Sequence, residues 1–158
     1  MITPQKITPF LWFDDQAEDA AKFYTSLFKN SKILSVTRYT DAGPKPKGSV
    51  MTVAFELEGQ NFTALNGGPQ FKFTEAVSFV VNCESQAEVD YFWQRLTDGG
   101  QEIQCGWLKD RYGLSWQVVP TALFELLQDA AKAPKVVQAL FQMKKIDIEA
   151  LRRARDQG

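Results

Sequence analysis

A ten-residue motif occurs twice in this chain, and no other feature narrows its fold as much. DQAEDAAKFY begins at Asp15 and SQAEVDYFWQ begins at Ser85, with Gln-Ala-Glu aligned at an offset of seventy residues. Each copy opens like a helix start. Asp15 with Glu18, and Ser85 with Glu88, have the spacing of a capping box, in which two side chains satisfy amides that the first turn leaves without partners. Behind each start, apolar residues recur at helical spacing: Ala17, Ala20, Ala21, Tyr24, Leu27 and Phe28, then Val89, Phe92, Trp93 and Leu96. Gly99-Gly100 stops the second helix.

The flanking segments repeat as well. Apolar strands precede the helices at Ile7–Phe13 and Ala76–Asn82. Three strands follow the first helix, at Lys32–Thr40, Ser49–Glu58 and Asn61–Asn66. Three follow the second, at Gln101–Cys105, Gly106–Asp110 and Gly113–Val119, all with alternating or β-branched and aromatic residues. The turns Glu58-Gly59-Gln60-Asn61 and Arg111-Tyr112-Gly113 suit hairpins. The chain therefore reads as a βαβββ module written twice, module one over 1–66 and module two over 74–120, joined through Gly67–Glu75. A helical extension fills 121–158. In it Leu123, Leu126, Leu127 and Ala130 form one stripe, and Pro134 is expected to end that helix. Val136, Val137, Leu140 and Phe141 form the next stripe, and Asp147 is placed to cap the last helix. These stripes need a covering surface, either their own domain or a second subunit. With 158 residues, a single domain over 1–158 is expected.

Charge and composition exclude several classes of function. Eighteen basic and nineteen acidic residues leave a net charge of −1, so there is no field to gather nucleic acid or an anionic membrane. No apolar run approaches the roughly 18 residues of a membrane span, and MITPQK lacks a secretory apolar core. A cytoplasmic protein is expected, with Cys83 and Cys105 as reduced thiols in no metal-binding spacing. The chain has no histidine. Ser-His-Asp and Cys-His catalysis and His-bearing zinc sites are thereby ruled out.

The stretch CGWLKDRYGLSWQVVP, Cys105–Pro120, concentrates the remaining chemistry. Alternation puts Ser115, Gln117 and Val119 on one face of its last strand, and Ser78, Val80 and Asn82 on one face of the strand before the second helix. Val77, Phe79, Val81 and Trp116 fall on the opposite faces, suited to packing under helices. Trp107, Tyr112 and Trp116 read as packing residues, and Asp110 and Arg111 as a turn-forming pair at the surface. Cys105 is either a small apolar filler or a pocket-facing thiol, with Lys109 the nearest group to activate it. The loop Asp41–Gly48, with Lys45 and Lys47, reads as a solvated hairpin tip.

The duplicated strand–helix–three-strand module resembles the vicinal-oxygen-chelate superfamily, which includes glyoxalase I, extradiol dioxygenases and bleomycin-resistance proteins. WFDDQAEDAAKFYTSLF, ALNGGPQFKFTEAVSFVV, CGWLKDRYGLSWQVVP and QALFQMKKIDIEALRRA are similar to its PhnB-like branch, whose members often carry the label 3-demethylubiquinone-9 3-methyltransferase. The resemblance implies an α+β fold in which the two modules form a curved mixed sheet around a cavity, and it implies a homodimer. Metal-dependent members carry His or Glu at four strand positions, which correspond here to Pro9, Asn66, Ser78 and Gln117. Gln117 lies seven residues beyond Asp110, the first residue of an Asp-x-x-Gly turn ending at Gly113.

Proline's side chain has no donor atom and the other three bring no charge, so no metal cofactor is expected. Pro9, Asn66, Ser78, Gln117 and Cys105 become the candidate cavity residues for a small organic ligand. Methyl transfer from S-adenosylmethionine usually needs a glycine-rich turn leading into a helix. Asn66-Gly67-Gly68-Pro69 is the only comparable cluster, and no amphipathic helix follows it. The implied function is small-molecule binding with no assigned reaction. The alternatives within the superfamily are a metal-dependent lyase, isomerase or dioxygenase using Glu56 or Glu75, and drug sequestration of the bleomycin-resistance kind.

Overall fold

The computed structural model describes residues 5–157. They form two compact units, one ending at Lys72 and the other beginning at Phe73. The first contains β1 (Phe10–Phe13), α1 (Ala17–Leu27), β2 (Lys32–Arg38), β3 (Val50–Leu57) and β4 (Gln60–Asn66). Its sheet has the order β1-β4-β3-β2, with β1 parallel to β4 and the other pairs antiparallel. Ala17, Ala20, Ala21, Tyr24 and Leu27 of α1 are buried, as are Leu11, Phe13, Val53, Phe55, Leu57, Phe62 and Ala64 of the strands. Tyr24 stacks on Phe55 at 6.2 Å and Phe55 on Phe62 at 5.4 Å between ring centroids. Such aromatic pairs add to the burial of their area.

The second unit repeats this topology. Its elements are β5 (Ser78–Cys83), α2 (Gln86–Thr97), β6 (Gln101–Glu102), β7 (Trp107–Lys109) and β8 (Ser115–Pro120). Their order β5-β8-β7-β6 is the same permutation, again with one parallel pair, β5–β8. Duplication of the βαβββ module is thus present in both sequence and topology. The protein is α+β, with two four-stranded mixed sheets.

Four local expectations need correction. The first concerns the start of α1. Asp15 does not cap it; Gln16 is the N-cap, without a side-chain bond, and the Ala17 amide donates to Asn66 Oδ1 at 2.8 Å. β4 runs beside β1 with Asn66 opposite Phe13, so its side chain reaches the helix that follows β1. In α2 the expected cap forms, with Ser85 Oγ accepting from the Glu88 amide at 3.2 Å. The second correction shortens β6 and β7. Gln104–Trp107 is a tight turn, with Cys105 at φ 61° and Gly106 at φ 84°, closed by the Trp107 amide on the Gln104 carbonyl at 3.0 Å. Two successive positive φ values are what a two-residue hairpin turn demands.

Third, Pro134 begins a helix and does not end one. After α3 (Thr121–Leu126), α4 (Ala133–Leu140) carries Pro134 in its first turn, where a missing N–H costs nothing. The last helix, α5 (Ile148–Asp156), is capped by Asp147 as expected, its carboxyl accepting from the Ala150 amide at 3.1 Å. The fourth correction, to Asp110, belongs with the site below. Part of each C-terminal stripe packs on its own unit: Leu123, Leu126 and Val136 join Val119, Ile146 and Leu151 in one buried cluster, whereas Ala130 and Phe141 stay exposed. Gln86, the glutamine of the second motif copy, ties this extension down. Its Nε2 donates to the Ile146 carbonyl at 3.0 Å, and its Oε1 accepts from the Ile148 amide at 2.8 Å. No helix among the described residues is long and apolar enough to cross a membrane.

Candidate functional site

The β5–β8–β7 sheet has two chemically different faces. α2 buries Val89, Phe92, Trp93 and Leu96. On the strand face of the same parity Leu108, Trp116, Val118 and Val81 are buried, and the half-buried Phe79 meets Trp116 at 5.7 Å between centroids. The opposite face is polar. Register places Lys109, Ser115 and Ser78 side by side across β7, β8 and β5, with Trp107, Gln117 and Val80 as the neighbouring row. Residues paired across a ladder share a face, so these six side chains project to one side.

Ser78 and Gln117, both derived from the sequence, meet. Gln117 Nε2 donates to Ser78 Oγ at 2.9 Å, linking β8 to β5 diagonally. Both are partly exposed, Val80 is 47% exposed, and Trp107 is half-buried. Ser115, opposite Ser78 and two residues before Gln117 on β8, is fully buried. Its Oγ is the buried side-chain polar atom that has no hydrogen-bond partner among the described residues. The ammonium of Lys109 is paired with the carboxyl of Glu75, and that hydrogen bond holds Glu75 below the ordinary carboxylate range. Sequence reasoning put Ser115 on the Gln117 face but did not count it in the site, and it weighed Lys109 only as a neighbour of Cys105. Cross-strand register was the missing information.

Asp110 is not a surface ion-pair residue. It is 3% exposed and organises the β7–β8 turn from inside. Its Oδ1 accepts from the Tyr112 amide at 2.8 Å and the Leu114 amide at 3.1 Å, and its Oδ2 accepts from the Trp116 indole at 2.9 Å. Arg111 reaches across to Asp98 at 3.3 Å. Asp110 thereby fixes where β8 begins, and so where Ser115 and Gln117 stand.

The other candidate residues have different settings. Cys105 lies in the positive-φ turn before β7, half-buried, with its amide donating to the Met143 carbonyl at 2.8 Å. Cys83 is buried, and burial pushes its thiol up to about 12. Both thiols are free. Because the thiolate is the reactive species, a disulfide reagent at pH 8 is expected to titrate Cys105 in the native protein and Cys83 only after denaturation. Two equivalents reacting at one rate before unfolding would contradict this.

In the first unit, Pro9 precedes β1 and its carbonyl accepts from the Thr63 amide at 3.0 Å. Asn66 is 6% exposed, and both the oxygen and the nitrogen of its amide are hydrogen-bonded. Besides capping α1, its Nδ2 donates to the Val50 carbonyl at 3.1 Å, and its carbonyl accepts from the Tyr39 hydroxyl at 2.5 Å. It borders a recess of about 290 Å³ at the start of α1, with Asp15, Glu18, Asp19 and Lys45. Lys45 folds back towards Asp14, 3.9 Å away, whereas Lys47 and Asp41 pair at the exposed tip. The β2–β3 loop is therefore solvated only in part.

Neither implied cofactor fits the residues present. Asn66 is neutral and its Oδ1 already accepts from the Ala17 amide, Ser78 and Gln117 are neutral and bonded to each other, and Pro9 offers no side-chain donor. No group of three His, Cys, Asp or Glu residues that could hold an ion occurs among the described residues. The glycine cluster after β4 does not lead into a helix; the next element is β5. Gly67 instead lies flat against the Trp12 indole, where a Cβ would collide, and the Gly68 carbonyl accepts from Trp12 Nε1 at 2.8 Å. These glycines seat a tryptophan.

Comparison with known proteins gives a consistent picture. Residues 5–119 match the family model described as 3-demethylubiquinone-9 3-methyltransferase. A solved structure described as a putative 3-demethylubiquinone-9 3-methyltransferase, PhnB protein, from Bacillus cereus is 40% identical, with a TM-score of 0.68 over 74% of this chain and 100% of that one. Protein PA1353 from Pseudomonas aeruginosa is 20% identical, with a TM-score of 0.61 over 74% and 98%. The fosfomycin resistance protein FosX from Listeria monocytogenes, complexed with Mn(II) and sulfate, is 16% identical, with a TM-score of 0.54 over 82% and 99%. The last two are likenesses of fold. No curated protein matches the chain.

Proposed function

Because this chain belongs to the 3-demethylubiquinone-9 3-methyltransferase family of PhnB-like, glyoxalase-fold proteins, we propose that it binds a small organic molecule on the sheet face of Ser78 and Gln117, without a metal ion. The observation that carries this reading is the Gln117–Ser78 bond on the face opposite α2, beside a half-buried indole and an exposed valine. A carboxamide and a hydroxyl can each donate and accept, so they orient a ligand, while Trp107 and Val80 supply apolar area. Lys109 adds the one cation of that face among the described residues. Glu75 is engaged with Lys109, and Glu56, half-buried on β3, stands opposite Lys32 in the register. Among the described residues neither carboxyl belongs to a group of three His, Cys, Asp or Glu that could hold an ion.

Tryptophan fluorescence against a library of small planar organic molecules, with calorimetric titration of Mn(II), Mg(II), Zn(II) and Ni(II), tests the reading. Ligands that quench are expected to bind at least about tenfold more weakly to Gln117→Ala, the loss of an oriented hydrogen bond or two. Tight stoichiometric binding of any of these ions would overturn the metal-free part. The setting we propose is a cytoplasmic homodimer, supported by the two free thiols and by Phe124 and Phe141, which stand 53% and 60% exposed on the C-terminal segment. Light scattering that gives a monomer mass at micromolar concentration would refute the dimer.

A further inference from the structure

The Lys109–Ser115–Ser78 row has a pattern that an uncharged ligand does not explain. An ammonium and two hydroxyls stand abreast on three strands, and a carboxamide donor stands one row away. The middle hydroxyl is fully buried and has no hydrogen-bond partner among the described residues. A buried hydroxyl without a partner loses its hydration for no return. A serine in that position makes sense when an acceptor arrives. Lys109, for its part, holds the carboxyl of Glu75, which comes from the segment just before β5. The row therefore already carries an oxyanion on its cation, supplied by the chain itself. Glu75 is more than half exposed at its side chain, so it can leave without unpacking a core.

We infer that the ligand of this face is an oxyanion-bearing small molecule, a carboxylate or a phosphorus oxyacid, whose anionic group takes the place of Glu75 on Lys109 and accepts from Ser115. The inference rests on the small-molecule reading above and assigns the chemical class. Ser78 and Gln117 then contact the ligand beyond its anionic group, and Glu75 acts as an internal competitor. Carboxylates and phosphorus oxyacids share the demand for a cation and hydroxyl donors. They differ in geometry and charge, which the experiment separates.

Benzoate and phenylphosphonate are the probes for the two sources, and benzamide is their uncharged counterpart. Each is titrated into the full chain by calorimetry at constant ionic strength, alongside Lys109→Met, Glu75→Gln and Ser115→Ala, with melting curves to verify folding. The expected result is that at least one anion binds while benzamide binds at least tenfold more weakly. Glu75→Gln should tighten the anion several-fold, Lys109→Met should weaken it at least tenfold, and neither should move benzamide. The preferred anion identifies the source.

If the anions bind no better than benzamide, or are indifferent to both Lys109→Met and Glu75→Gln, the inference is overturned. Should an uncharged library molecule bind in a way that depends on Gln117 but not on Lys109, the small-molecule reading stands and only the anionic class fails. If neither the probes nor the library bind, both fail. Ser115→Ala that melts higher yet binds the anion less well would mark Ser115 as a ligand-binding residue. Unchanged anion binding in that variant would remove Ser115 from the site.

Discussion

Replacing Asp110 with alanine is expected to lower stability by about 4 kcal/mol, because three donors lose their acceptor in a buried setting at roughly 1–3 kcal/mol each, with water reaching the more exposed one. The Tyr112 and Leu114 amides and the Trp116 indole all point at this one side chain. For a protein of this length such a loss corresponds to a melting point about 10 °C lower. Asp110→Asn should be milder, since its oxygen still accepts, while its NH₂ group faces donors and leaves at least one of them unpaired. Thermal melts followed by far-UV circular dichroism, with near-UV spectra to follow the environment of Trp116, measure both variants. An alanine variant melting within 2 °C of the parent would mean that the turn is held by something other than Asp110.

Asp110 also shows what one sequence can hide. The Asp-x-x-Gly turn is legible, and its count of seven residues leads to Gln117, which the register places on the face opposite α2. The burial of the aspartate was not legible. An Asp-Arg dipeptide reads as a surface pair because charge usually stays in water, and only the arrival of two amides and an indole in one place reverses that expectation. The module order, the stripes of α1 and α2 and the alternation of β3 and β4 are legible because they depend on periodicity, which the sequence carries locally. Capping at α1 failed for the opposite reason. Asp15 and Glu18 have the right spacing, yet Asn66, forty-nine residues from Ala17, occupies the position they would have used.

The site divides along the same line. Ser78 and Gln117 could be aligned by motif and by alternation, and they are hydrogen-bonded. Ser115 and Lys109 belong beside them only because of cross-strand register, which fixes which residues become neighbours and cannot be counted along the chain. Cys105 stands at φ 61° in the turn between β6 and β7, a setting that the residues around it in the sequence do not reveal. Pro134 is the converse case. Proline interrupts a helical pattern in either direction, and here the chain uses it to begin α4.

Asn66 is the residue on which a positional analogy and the physical surroundings disagree most, so its replacement is the most telling. Asn66→Ala removes the acceptor of the Ala17 amide and the donor to the Val50 carbonyl, and is expected to cost about 3 kcal/mol, combining a lost cap with a second buried bond. Asn66→Asp should fall between the two. It keeps the acceptor, and a negative group is favoured at a helix start, but it places a carboxyl against the Val50 carbonyl and beside Asp15, Glu18 and Asp19. Urea denaturation measures the loss, and ligand titration at a temperature where the variant remains folded measures the rest. A cap should shift the urea midpoint and leave affinity alone, whereas Gln117→Ala should do the reverse. If Asn66→Ala instead denatured like the parent and lost the ligand, the amide would belong to the binding face by superfamily position, and the helix would have found another acceptor.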